Sequence, residues 1–280
     1  MIRRFNRFEL KYILPLSRCA RLIDELKEQI SPDSHGGNGG YPVVSLYYDS
    51  PDYECFWAKI EGLKYRRKVR LRVYPAGDLE STDIQGVTNA AVEIKQRINK
   101  TVQKRRLSLP LEQAEALCSG ELEPEGLDPL DSQVAQEVLV LRHSLDLRPT
   151  AITAYRRRAF EGHHENAGLR VTFDTQVASR MHALRVNETA HNRLILPENW
   201  CIMEVKADER VPQWIASLLA RHDCQLSRVS KYCTGVAQIR EFRVLPLALQ
   251  RPAMAEVPSP AATAGTPRAP SSPLRKPPHG

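Results

Sequence analysis

Two arginines on one predicted strand are the residues whose type and spacing first suggest chemistry. The stretch from Tyr65 to Tyr74 reads Y-R-R-K-V-R-L-R-V-Y, in which Arg70 and Arg72 alternate with aliphatic residues. Side chains two residues apart on a β-strand share a face, so the two guanidiniums lie side by side. A guanidinium is a permanently charged planar fork that suits phosphate oxygens. The pair can grip an extended polyanion, or it can face water while the aliphatic side packs on the core.

The same alternation of charged and apolar residues recurs along the chain. It appears in the segments 7–12, 91–97, 151–160, 169–174 and 201–206, with a returning hairpin strand at 101–109. Apolar stripes at helical spacing in 17–30, 111–118, 132–145 and 211–219, with shorter helices at 53–60 and before 239, supply a layer that can pack on the sheet. The recurrence favours one shared charged surface over a set of unrelated solvated faces.

We predict an α+β fold, in which a closed antiparallel β-barrel forms a tunnel with a basic lumen and helices flank it. Closure would remove the edges of the sheet and turn the charged faces inward. A basic lumen repels itself unless it holds an anion or paired carboxylates, so such a lumen indicates a polyanionic ligand. The alternative is an open sheet whose charged face binds nucleic acid through phosphates. The basic strands lack the interleaved exposed aromatics that stack bases, although four tyrosines keep this alternative open: Tyr12, Tyr65, Tyr74 and Tyr155.

Composition sets further limits on function. The 280 residues carry a formal net charge of +7, which favours an anionic partner. The six cysteines are widely spread without a C-x-x-C pair, which predicts reduced residues and no zinc site. His163 and His164 lack a third ligand at suitable spacing. The glycine-rich stretch 36–40 is not followed by Gly-Lys-Ser/Thr, so it is a connection and not a phosphate-binding P-loop.

The absence of long apolar runs and the composition of the last part of the sequence predict a cytoplasmic protein with one folded domain. There is no run of about 18 apolar residues, which argues against a signal peptide and a membrane span. From residue 246 onward the chain is rich in Pro, Ala, Ser and basic residues, a composition that does not order itself. We therefore predict a folded domain at 1–245 and a disordered basic tail at 246–280.

A series of short motifs, read in order, resembles the VTC domain. The motifs are R-F-E-L-K-Y at 7–12, S-L-Y-Y-D-S-P at 45–51, R-L-R-V-Y at 70–74, V-E-I-K at 92–95, Y-R-R-R-A-F at 155–160, L-R-V-T-F-D-T at 169–175, M-E-V-K at 203–206 and S-K-Y at 230–232. The VTC domain is the polyphosphate polymerase domain of the vacuolar transporter chaperone complex, and it is a member of the CYTH-like triphosphate tunnel metalloenzyme superfamily. The resemblance covers roughly residues 3 to 242.

This resemblance implies a metal-dependent phosphotransferase with ATP and polyphosphate as its partners. It implies that Glu204 and Glu9 hold Mn²⁺ or Mg²⁺. The residues that it implies for phosphate binding are Lys11, Arg70, Arg72, Lys95, Lys104, Tyr155, Arg157, Arg170, Lys206, Ser230 and Lys231. Five of these are expected to act in catalysis: Arg70, Arg72, Lys95, Arg157 and Arg170. Lys104 lies on the returning strand of a hairpin, and a shift of the strand register by one residue would put a different basic residue at its position.

One departure from the wider superfamily bears on the reaction. Triphosphatases of that group carry E-x-E-x-K on the first strand, whereas Arg7 stands at the first of these positions here. A cation in place of a metal carboxylate favours phosphoryl transfer over hydrolysis. A triphosphate hydrolase on the same scaffold and a non-catalytic polyanion-binding module stay as alternatives. The sequence shows neither the phosphate-sensing domain nor the membrane segment of the eukaryotic complex, which leaves a membrane-protein partner open.

Overall fold

The computed structural model describes residues 7–36, 39–76, 86–99, 101–123 and 125–243, so the predicted tail lies outside the described residues. The strands are β1 (Arg7–Pro15), β2 (Ser31–Pro32), β3 (Tyr41–Asp49), β4 (Tyr65–Val73), β5 (Asn89–Ile98), β6 (Thr101–Pro110), β7 (Arg148–Glu161), β8 (Arg170–Arg180), β9 (Arg193–Leu194) and β10 (Trp200–Asp208). The helices are α1 (Leu16–Leu26), α2 (Glu54–Ile60), α3 (Leu111–Ser119), α4 (Pro129–Ser144), α5 (Gln213–Arg221) and α6 (Lys231–Ile239).

The strands form one antiparallel sheet in the order β1-β10-β8-β7-β3-β4-β5-β6, and the short β2 and β9 pair with β7 and β8. The predicted α+β class with helices beside an antiparallel sheet is confirmed. The prediction of a closed barrel is wrong, because within the described residues β1 and β6 end the sheet without pairing to each other.

The outer edge of β1 is occupied by another segment of the chain, which explains why the sheet stays open. Tyr12 forms a bridge with Leu226, and the Ser227 amide donates to the Lys11 carbonyl at 2.7 Å. The segment that leads into α6 therefore satisfies backbone groups that a closing strand would otherwise pair. The sheet still curls, since the Lys95 ammonium on β5 lies 2.9 Å from the Glu9 carboxylate on β1, near the opposite end of the strand order.

The apolar faces of the strands pack on two separate helical layers. On one side, the aliphatic residues of β4 and β5 join those of α3 and α4 in one core, with Leu71 and Ile94 fully buried. On the other, β1, β8 and β10 pack on α1 and α5, where Leu22 and Val205 are fully buried. Since side chains alternate along a strand, burying these residues turns the charged rows of β1, β4, β5 and β10 to the inner, concave face.

Helices α2 and α6 lie together at this concave face. Tyr232 of α6 stacks on Tyr47 of β3, with the ring centroids 5.0 Å apart, and its hydroxyl donates to the buried Asp49 carboxylate. Asp49 also accepts from the backbone amides of Cys55 and Phe56 at 2.7 and 2.9 Å. One buried carboxylate thus fixes the start of α2 and the position of α6 relative to β3.

Candidate functional site

A cavity of about 320 Å³ occupies the concave face of the sheet. Its walls come from β1, β3, β4, β5, β6, β7 and β10, from α2, and from the segment that enters α6. Most of the residues that the sequence predicted for the site line this cavity: Glu9, Lys11, Arg70, Arg72, Lys95, Tyr155, Arg157, Glu204, Lys206, Ser230 and Lys231. The structure brings these side chains together, and their roles in binding stay predictions.

Arg70 and Arg72 of β4 are held in place by neutral and charged acceptors. The Arg70 Nε donates to Glu93 at 2.6 Å, and its Nη1 donates to the Tyr47 hydroxyl at 3.0 Å. The Arg72 Nε donates to the Ser45 hydroxyl at 2.9 Å, and its Nη2 donates to the Tyr155 hydroxyl at 3.1 Å. Both guanidiniums are therefore oriented before any ligand arrives, which is the preorganisation that electrostatic catalysis requires.

Glu93 is the carboxylate that anchors this end of the cavity. It is 1% exposed, and three cations surround it: Arg70, Lys104 at 2.6 Å and Arg106 at 4.0 Å. Burial would raise the pKa of Glu93, but the guanidiniums of Arg70 and Arg72 and the ammonium of Lys104 hold that pKa well below its usual range. Glu93 consequently stays ionised, and more positive than negative charge remains around it.

A second buried anchor joins β7, β8 and α6. The Arg157 guanidinium forms a two-bond pair with the Asp174 carboxylate at 2.7 and 2.8 Å, and the Lys231 ammonium reaches the same carboxylate at 2.6 Å. Asp174 is fully buried. Burial opposes its ionisation, but Arg157 and Lys231 lower the pKa of Asp174 to about 2. The Asp174 carboxylate thus positions two cations of the cavity, and its single negative charge leaves one positive charge uncompensated.

Glu9 and Glu204 lie on the neighbouring strands β1 and β10, where Glu9 is opposite Lys206 and Glu204 is opposite Lys11. The Lys11 ammonium is 3.1 Å from Glu9, and the Lys206 ammonium is 3.5 Å from Glu204. Burial works against both carboxylates, yet Lys11 lowers the pKa of each, so both are ionised near neutral pH. These are the only two acidic groups that line the cavity walls described by the structure.

The two glutamates fit a divalent metal that is shared with phosphate. Mg²⁺ and similar hard cations bind through one or two carboxylates and complete their shell with phosphate oxygens and water. Among the described residues, no group of three or more His, Cys, Asp or Glu side chains could hold a metal by itself. Glu9 and Glu204 therefore suit an ion that enters together with a phosphate ligand, as their position in the motifs implies.

Arg170 and Lys104 are the two predicted residues that do not line the cavity described here. The Arg170 guanidinium pairs with Glu161 and with Asp33, the latter at 2.8 Å, and it also contacts the Tyr41 hydroxyl. The Lys104 ammonium is engaged by Glu93. Contact of either residue with phosphate stays a prediction.

Several cavity residues were not predicted from the sequence: Tyr47, Lys59, Arg66, Lys68, Arg97 and Arg228. Arg66 and Lys68 continue the row of Arg70 at period two, and Arg97 continues that of Lys95, so the alternation itself could have identified them. Lys59 lies on α2, and only the docking of that helix brings it to the site.

Ser230 lies both at the start of α6 and at the wall of the cavity. Its hydroxyl oxygen accepts from the Cys233 amide at 3.4 Å and so caps α6. The same residue lines the cavity. Ser230 is thus a helix cap at the wall of the cavity, and its contact with a ligand stays a prediction.

The helices in the described part of the chain were also compared with the length and hydropathy of a membrane span, and none of them has both.

The sequence of this chain is similar to that of a subunit of a larger complex. Subunit 4 of the vacuolar transporter chaperone complex of Trypanosoma brucei brucei (strain 927/4 GUTat10.1) is 25% identical over 254 residues, which cover 81% of this chain and 31% of that protein. The chain thus spans about a third of the length of this relative.

Two solved structures also align with the chain. A candidate adenylate cyclase of Bacillus halodurans aligns at 13% identity and a TM-score of 0.44, over 78% of this chain and 90% of that one. A chain of the Schizosaccharomyces pombe Mediator head module aligns at 10% identity and a TM-score of 0.42, over 79% and 96% of the two chains. TM-scores this low, at such identities, do not establish a shared fold.

The sequence model of the VTC domain matches residues 6–240, which include every strand and helix described here, from the start of β1 to the end of α6. The chain belongs to the VTC domain family.

Proposed function

We propose that this protein is a polyphosphate polymerase, which transfers the γ-phosphoryl group of ATP to the end of a growing polyphosphate chain. The observation that carries the proposal is the convergence of cationic side chains from β1, β4, β5, β7, β10 and α6 on one cavity. Membership of the VTC domain family supports it. So does the similarity to a subunit of the vacuolar transporter chaperone complex.

In the proposed reaction an oxygen of the chain-end phosphate attacks the γ-phosphorus of ATP. The bond from that phosphorus to the bridging β–γ oxygen breaks, which releases ADP and lengthens the chain by one phosphate. Such a transfer needs alignment and stabilisation of spread negative charge, and it needs no nucleophilic side chain. Arg70, Arg72 and Arg157 are assigned to the oxygens of the transferred group. Lys11 and Lys231 are assigned to the neighbouring phosphates.

Glu9 and Glu204 are assigned to a divalent ion, Mn²⁺ or Mg²⁺. When bound, the ion neutralises charge on the phosphate oxygens and so assists transfer of the phosphoryl group. The Lys11 ammonium contacts Glu9 and the Lys206 ammonium contacts Glu204 in the structure. When the carboxylates take up the ion, both lysines are assigned to phosphate.

The first test is the product formed from ATP. Purified protein is incubated with ATP and Mn²⁺, and the products are sized on a gel while free phosphate is measured. We expect long polymer together with ADP. Free phosphate without polymer would identify a triphosphate hydrolase, and the absence of both with retained polyphosphate binding would identify a binding module.

Glu204→Gln should separate binding from turnover. The amide keeps the shape of the side chain but removes the negative charge that would attract the metal, so we expect retained polyphosphate affinity and a loss of metal-dependent product on the order of 100-fold. Calorimetric binding and product assays are run side by side. Glu198→Gln, at an exposed position before β10, is the matched control. Full activity of Glu204→Gln would remove Glu204 from the proposed metal site.

Ligand binding should also depend on pH through two lysines. Burial, together with the nearby Arg66, lowers the pKa of Lys59 to about 8, and burial lowers the pKa of Lys206 to about 8 although Glu204 opposes this. Both lysines lose their protons as pH rises through 8, and a bound polyanion restores their pKa. Tripolyphosphate affinity should therefore fall roughly tenfold per lysine between pH 7 and 9.

This coupling predicts proton uptake when tripolyphosphate binds near pH 8. It is measured by calorimetry in two buffers of different ionisation enthalpy. The double variant Lys59→Gln/Lys206→Gln should lose most of the uptake. Equal apparent binding enthalpies in both buffers for the wild-type protein would contradict the assignment.

A further inference from the structure

A second cavity adjoins the first at a pair of arginines. It has a volume of about 250 Å³, and its walls are formed by Gly62, Leu63, Lys64, Arg66, Arg97 and Asn99. Arg66 and Arg97 line both cavities, so they lie at the boundary between the two. The motifs of the sequence and the catalytic assignment above leave this second cavity without a role.

The two arginines face each other in an unfavourable arrangement. Arg66 of β4 is directly opposite Arg97 of β5, and the next rung on the same face pairs Lys68 with Lys95. Like charges directly opposite each other destabilise a sheet. On the following rung, Arg70 is opposite Glu93 and the charges cancel. The positive charge is thus concentrated toward the end of the strand pair that borders the second cavity.

Lys95 is paired with Glu9, but neither Arg66 nor Arg97 has an acidic partner among the residues that the structure describes. The Arg66 Nη1 donates to the Leu63 carbonyl at 2.8 Å, and the Arg97 Nε donates to the Asn99 carbonyl at 2.8 Å. Neither guanidinium lies within ion-pair distance of a described carboxylate. A guanidinium has five N–H donors, so each arginine is oriented by one bond and keeps the others for a ligand. Both tethering carbonyls belong to walls of the second cavity.

We propose that Arg66 and Arg97 form a second polyphosphate-binding subsite, which holds the chain beyond its reacting end and leads it from the main cavity into the second. This proposal rests on the proposed function, which supplies polyphosphate as the ligand. Four residues along β4 separate Arg66 from Arg70, a distance of roughly 13 Å. A tripolyphosphate bound at Arg70 and Arg72 does not use the subsite, whereas a long chain does.

The test compares short and long ligands on the double variant Arg66→Gln/Arg97→Gln. Binding of tripolyphosphate and of a long polyphosphate is measured by calorimetry without ATP. We expect long-chain affinity to fall on the order of tenfold or more, as the loss of charge-assisted hydrogen bonds predicts, and tripolyphosphate affinity to stay within about twofold. The control variant Arg21→Gln/Arg67→Gln removes two charges from residues that line neither cavity, and it should bind both ligands like the wild-type protein.

The outcomes separate this proposal from the polymerase assignment. Equal weakening for both ligands would place the arginines in the main site and overturn the subsite, as would no weakening for either. An equal loss of binding to oligodeoxythymidylate of matched charge would overturn its assignment to polyphosphate. The double variant could lose affinity for long polyphosphate alone while the wild-type protein makes no polymer from ATP. That result would support the subsite and refute the polymerase. Because the double variant removes a repulsive pair, its melting temperature should equal or exceed that of the wild-type protein. The single variant Arg97→Gln repeats the binding test with only one substitution.

Discussion

Replacing Arg70 with alanine should lower the rate of polymer formation from ATP on the order of 100-fold or more. Arg70 is oriented toward the cavity by Glu93 and Tyr47, so it can stabilise charge on the transferred phosphoryl group without reorganisation. Its pKa is raised although burial opposes this, since Tyr47 and Glu93 favour the cation, so the charge persists at every working pH. The effect is measured as initial rates with saturating ATP and Mn²⁺.

The control for this variant is Arg67→Ala on the same strand. Arg67 does not line the cavity, and its guanidinium lies over the Tyr65 ring, 5.1 Å from the centroid. We expect Arg67→Ala to retain wild-type rates, and thermal melting of both variants checks that they fold. Undiminished polymer yield from Arg70→Ala would contradict the assignment of Arg70 to catalysis.

Replacing Asp174 with asparagine should cost about 3–5 kcal/mol in the free energy of unfolding at pH 7. The substitution removes the one carboxylate that pairs with both Arg157 and Lys231, and an uncompensated buried charge is strongly destabilising. The measurement is urea denaturation. Glu161→Gln is the control, because the Glu161 side chain is 41% exposed in its pair with Arg170 and should contribute less than about 1 kcal/mol.

The pH dependence of unfolding gives an independent check on Asp174. Its pKa is about 2 in the folded protein against 3.8 ordinarily. A lowered carboxyl pKa stabilises the fold fully above pH 3.8, and the contribution is lost as pH falls toward 2. The wild-type protein should therefore lose stability more steeply in this window than Asp174→Asn. Parallel curves would show that Asp174 is not the ionised partner of Arg157.

The period-two alternation predicted the strands because burial enforces it. Val69 and Leu71 are buried in the core beside α3 and α4, so Arg70 has to point the other way. The helices followed from their apolar stripes, although α4 begins at Pro129 and not at Ser132. Asp128 caps that helix by accepting from the Leu130 and Asp131 amides.

Long-range arrangement was beyond the reach of the sequence. Alternation along a strand says which face a side chain takes, but not which edges of the sheet meet. The pairing of β1 with the segment at Leu226 and Ser227 therefore could not be foreseen, and the predicted barrel was wrong. Lys59 was missed for the same reason, since its place in the cavity depends on how Asp49 docks α2.

We propose that the cavity on the concave face binds polyphosphate. The most direct measurement is a crystal structure of the protein with bound tripolyphosphate and Mn²⁺. We expect phosphate oxygens within hydrogen-bond distance of Arg70, Arg72 and Arg157, with the ion beside Glu204. Phosphates bound only on the outer surfaces of the protein, with this cavity filled by water alone, would contradict it.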